Sequence, residues 1–97
     1  MTTQTAILSN ALTAASMGDH VALMSGFTSP VIFKVIGICK DSFGGYLRVE
    51  CLEDGPNYEV GEIESVQKFL NPETRTTVNG SPTGWLYLGQ EIPAEFI

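Results

Sequence analysis

The sequence predicts an α+β domain that is mainly β: a strongly bent antiparallel sheet with an N-terminal helix packed on it. Three observations lead there. Residues 31–40 and 46–52 are runs rich in β-branched and aromatic side chains, and the loop between them carries paired glycines, Gly44 and Gly45, which is a hairpin signature. Ile7, Leu8, Ala11, Leu12 and Ala15 recur at helical spacing, so residues 3–17 read as a helix that Gly18 ends. The chain has 97 residues, 43% of them hydrophobic and 16% charged, with ten glycines and five prolines. That size and composition suit one turn-rich globular domain, 1–97.

The hairpin is the centre of the reading. A five-residue loop, Asp41 to Gly45, pairs Val35 with Cys51, Gly37 with Val49 and Cys39 with Leu47. One face then carries Phe33, Val35, Gly37, Cys39, Leu47, Val49 and Cys51 without a charge. The other carries Ile32, Ile36 and Ile38 among Lys34, Lys40, Arg48 and Glu50. A slip of one residue would exchange the faces, and this register keeps both lysines off the apolar one. Three isoleucines on the mixed face require that face to be covered as well.

Around the hairpin, Val21–Met24 reads as a short strand and Glu53–Asn57 as a turn. Tyr58 and Val60 open a further strand. Ile63, Val66, Phe69 and Leu70 switch to helical spacing, which predicts a helical turn near 64–69 that Asn71-Pro72 ends. Beyond 71 come a strand at Arg75–Val78, a turn at Asn79-Gly80, a strand at Trp85–Leu88 and an apolar tail that docks. The organisation is thus helix 3–17, β core 18–70 and a β extension 71–97. No charged side chain occurs from Met1 to Gly18, so the helix suits contact on more than one side.

Composition narrows function. The net charge is −6, from eleven acids against five bases, which argues against nucleic acid as a partner. No apolar run approaches the roughly 18 residues that span a bilayer, and no basic leader suggests a signal peptide. In the register above, Cys39 and Cys51 lie roughly 13 Å apart along one face, too far for a disulfide. Two free core thiols point to a reducing, cytoplasmic setting.

Candidate chemistry is sparse. Cys39 or Cys51 with His20 resembles a nucleophile and base, but cysteines in alternating apolar strands behave as small hydrophobes. Two cysteines and one histidine at no ligand spacing do not make a zinc site. Glu53, Asp54, Asn57 and Glu59 are rich in oxygen, yet their spacing is not that of a calcium loop. No catalytic residue, metal or cofactor is therefore assigned. The acids Glu53, Asp54, Glu59 and Glu62 are read as a surface for a basic protein partner, weighed against a plain solvated face. Tyr46, Tyr58, Trp85 and Tyr87 either line a groove or fill the core edge. Ile32, Ile36, Ile38, Leu8 and Leu12 form the expected self-association surface, because a chain this small has limited capacity to bury them alone.

Gly18, Asp19, Val21, Leu23, Ser25 and Gly26, then Pro30 and an apolar strand ending Gly37-Ile38, form a pattern that resembles a group of small bacterial SH3-like barrel proteins over about residues 18–69. The resemblance implies a small β-barrel core and no particular activity. The leading functional expectation is a non-enzymatic protein-binding or adaptor module that self-associates, with a dimer favoured. The alternative is a small enzyme or ligand binder with a pocket between helix and sheet.

Overall fold

A computed structural model describes residues 15–26, 29–42 and 44–96. They form five strands, β1 His20–Met24, β2 Val31–Asp41, β3 Gly44–Cys51, β4 Ile63–Val66 and β5 Gly84–Gly89, followed by a 3-10 turn at Ala94–Phe96. The sheet order is β4-β3-β2-β1-β5, and every pairing is antiparallel.

This corrects the α+β expectation to a mainly β fold. There is no α-helix among the described residues. The predicted helix at 3–17 falls mostly outside them, and its last positions, Ala15 to Met17, are not helical. Here Gly18 serves β2 instead of ending a helix. With a φ of 90°, it donates from its N–H to the Val35 carbonyl at 2.9 Å, and Val35 N–H donates to the Asp19 carbonyl at 2.7 Å.

The helical turn near 64–69 is also absent: Ile63–Val66 is β4, paired with β3. Ile63, Val66, Phe69 and Leu70 keep helical spacing for another reason. Val66 faces the core from a strand, whereas Phe69 and Leu70 are buried from the extended connection to β5, where Leu70 N–H donates to the Trp85 carbonyl. Residues 75–78 form turns, not a strand. Asn71 organises that stretch, its Oδ1 accepting from Glu73 N–H at 2.8 Å and its carbonyl from Arg75 N–H at 2.7 Å.

The hairpin is present with a different register. Asp41 pairs with Gly44, so the loop has two residues, not five. Val35 pairs with Val49 and Gly37 with Arg48, which makes Ile36 a β-bulge. The bulge breaks the two-residue alternation. Phe33, Val35, Leu47, Val49 and Cys51 reach the core as predicted, but Cys39 pairs with Tyr46 on the reverse face. The two cysteines therefore point to opposite sides, and both are free.

One cluster joins Val21, Val31, Phe33, Val35, Leu47, Val49, Cys51, Val66 and Phe69. It contains side chains from β1 and from β4, which are separated by two strands in the sheet, so the sheet bends around them. Phe33 is the hub: its ring meets Trp85 edge-on at 4.8 Å and Tyr58 at 5.3 Å, a favoured aromatic geometry. The reverse face is closed where Leu86, Ala22 and Ile32 stand side by side across β5, β1 and β2, all almost fully buried.

Candidate functional site

A half-open groove of about 430 Å³ lies between the end of β1 and the turn that follows β3. Leu23, Met24 and Ser25 line it from the end of β1 and Pro56, Asn57 and Tyr58 from the turn, together with Val31 and Thr83. The turn is held down locally. Gly55 N–H donates to the Tyr58 carbonyl at 2.9 Å. A Cβ on Gly55 would stand 2.7 Å from Val31 Cγ2, closer than atoms pack, so only glycine lets the turn lie on β2. The Tyr58 ring leans on Phe33. Burial, and then the nearby Glu64 and Glu62 carboxylates, push its phenol above the usual tyrosine range, so its hydroxyl stays protonated and able to donate.

The acids predicted as an interaction surface surround this turn, and all four are exposed. They also have local duties that sequence reading missed. Glu53 Oε1 accepts from Ile32 N–H at 3.3 Å, Asp54 Oδ1 from Val60 N–H at 3.1 Å and Glu62 Oε2 from Glu59 N–H at 3.2 Å. Asp54 and Glu62 thus satisfy backbone donors within the β3–β4 connection, the usual role of acids in turns, and Glu53 ties that connection to β2. Glu59 is the one whose carboxylate has no such partner among these bonds. Among the described residues no group of three His, Cys, Asp or Glu side chains is placed to hold a metal ion.

The self-association set is dispersed. Ile32 is buried inside its own chain, Ile36 is half-buried in the bulge, and Ile38 is 48% exposed; Leu8 and Leu12 lie outside the described residues. The nucleophile–base pairing is not assembled either. His20 shares the reverse face with Lys34, its Nδ1 buried without a partner, whereas Cys51 is in the core. Cys39 lies five positions beyond Lys34 on β2, roughly 16 Å at strand rise.

The thiols differ in consequence. Cys51 donates to the Glu53 carbonyl at 2.9 Å, and burial pushes its thiol above the ordinary range. Cys39 is only half-buried. A thiol reagent is therefore expected to label Cys39 first in the native protein, with Cys51 at least about tenfold slower. Rapid labelling of a Cys39→Ser variant would contradict this placement.

The most heavily buried charged side chain among the described residues is visible in the sequence only as part of a pattern. Asp19 is 5% exposed. Its Oδ2 accepts from Ser16 N–H at 3.0 Å and from the Tyr87 hydroxyl. Burial first, and then this hydrogen bond, hold the Tyr87 phenol far above the usual tyrosine range. The pair joins the entry to β1 with β5, 68 positions apart, a separation at which local pattern carries no signal.

No family model matches the chain, and no curated protein or solved structure matches it. No helix among the described residues is long and apolar enough to cross a membrane.

Proposed function

We propose that this chain is a non-enzymatic protein-binding module, an adaptor that self-associates and takes an extended basic segment of a partner protein into the groove between β1 and the Pro56–Tyr58 turn. The observation that carries the reading is the lining of that groove. Apolar walls from Leu23, Met24, Val31 and Pro56 stand beside polar groups from Ser25, Asn57, Tyr58 and Thr83, the usual make-up of a recognition site. Asp54 and Glu59 flank the turn that forms its outer wall, so lysine or arginine beside an apolar anchor fits there. The competing reading, a small enzyme, needs His20, a cysteine and a carboxylate around one cavity, and none of these lines the groove.

A displayed library of short peptides tests the proposal. Selected sequences are expected to place Lys or Arg next to an apolar residue and to bind less tightly as salt rises. Thr83→Lys, at an exposed position of the groove, is expected to weaken them about tenfold by filling the site. Glu59→Lys is expected to weaken them a few-fold, chiefly through the on-rate. A selection without a common pattern, or one indifferent to Thr83→Lys, would sink the proposal.

A further inference from the structure

β4 is an outer strand of the sheet. Cys51 N–H donates to the Glu62 carbonyl at 2.8 Å. In the β3–β4 register this makes Cys51–Glu62 a hydrogen-bonded position, and such positions alternate along an antiparallel ladder. Glu64 and Val66, opposite Val49 and Leu47, therefore direct their backbone groups inward. Ile63 and Ser65 direct theirs outward, where no strand among the described residues pairs with them. Both are exposed. An open edge of this kind is a template for another strand.

The side chains along that edge select the occupant. With the residues that flank β4, Glu62 before it and Gln67 and Lys68 after it, the segment reads Glu-Ile-Glu-Ser-Val-Gln-Lys, acidic at one end and basic at the other. A segment polarised in this way complements itself when turned through a two-fold axis. We propose that β4 pairs antiparallel with β4 of a second copy of this chain, about a two-fold axis through Ser65. This names the surface for the self-association proposed above, and it does not depend on what the groove binds.

Three two-fold registers set the outward-bonding residues of β4, Ile63 and Ser65, opposite themselves or each other. An axis at Ile63 sets Glu62 against the partner's Glu64, twice. An axis at Glu64 sets that residue against its own copy. Like charges directly opposite destabilise a sheet. The axis at Ser65 sets Glu62 against the partner's Lys68, twice, and Ile63 against the partner's Gln67. Charge thus leaves one of the three registers favourable. It is isologous and closed, so it ends at a dimer and not a fibre.

Sedimentation equilibrium on the full chain tests the inference. Wild type is expected at twice the 10.5 kDa chain mass. Lys68→Glu is expected to raise the dissociation constant at least about tenfold by replacing two attractions with two repulsions. Joining Glu62→Lys with Lys68→Glu in one chain restores both pairs in reverse and is expected to restore the dimer. Ser65→Pro removes an outward N–H that the β3 ladder does not use, so it is expected to give a monomer with an unchanged circular dichroism spectrum. A wild-type monomer, or a dimer unmoved by both Lys68→Glu and Ser65→Pro, would overturn the edge pairing. Failure of the groove to select peptides would leave these masses unaffected.

Discussion

Phe33→Ala is expected to be the most destabilising single substitution in the described core, at about 3–5 kcal/mol. Phe33 is completely buried, and its ring holds two others in place, Trp85 on β5 and Tyr58 at the groove. Removing it opens a cavity and frees both rings at once. A small domain has roughly 5–15 kcal/mol in total, so the variant approaches the threshold of folding. Urea unfolding with Ile38→Ala as the comparison measures this, since Ile38 is 48% exposed and is expected to change stability by no more than about 0.5 kcal/mol. A loss below about 1 kcal/mol at Phe33 would show that the aromatic hub does not organise the fold.

The second large effect lies at Asp19 and Tyr87. Asp19→Ala is expected to cost about 2–3 kcal/mol, because it strips the Tyr87 hydroxyl and Ser16 N–H of their shared acceptor. Tyr87→Phe is expected to cost less, about 1–2 kcal/mol, since the carboxylate keeps Ser16 N–H. The double variant should cost less than the sum, because the two groups form one interaction. The pair also fixes an alkaline limit. The Tyr87 phenol is raised in the folded state by burial and by Asp19, so the folded chain holds a proton that the unfolded chain releases near pH 10. The contribution is complete below that pH and is lost as pH rises through it toward the folded value. Tyr87→Phe is therefore expected to be less stable than wild type at pH 7 and to decline less steeply above about pH 10. Parallel stability–pH curves for the two proteins would remove Tyr87 from the alkaline transition.

Much of the sheet was legible because burial writes itself into alternation. Phe33, Val35, Leu47, Val49 and Cys51 were placed in the core by period alone, and Trp85–Leu88 falls within β5. The errors have specific physical sources. Ile36 adds a residue to β2, and from that point each sequence-based face is inverted, which moves Cys39 out of the core. Val66, Phe69 and Leu70 mimic helical spacing because a strand and the connection after it each bury part of the run, while Ile63, which completes the pattern, is exposed on β4. The acids of the β3–β4 connection were legible as an exposed group, whereas their bonds to Ile32, Glu59 and Val60 depend on the folded path. Of Tyr46, Tyr58, Trp85 and Tyr87, read from the sequence as lining a groove or filling the core edge, only Tyr58 lines this groove; its opposite wall comes from the end of β1, more than thirty positions away, a separation at which local pattern carries no signal.

The bulge at Ile36 acts as a phase shifter in a two-beat sequence. Were Ile36 deleted, Gly37 would still meet Arg48 and Ile38 would still meet Leu47, so the shorter chain would satisfy every β2–β3 pair with perfect arithmetic alternation. What it would give up is curvature. A bulge bends its strand and tightens the local twist, and the neighbouring Val35 is where Gly18 and Asp19 attach. The straighter ribbon would carry the Val21 row away from the Val66 row and open the core that both now share. In this chain the residue that spoils the pattern is the one that lets a flat ladder close on itself.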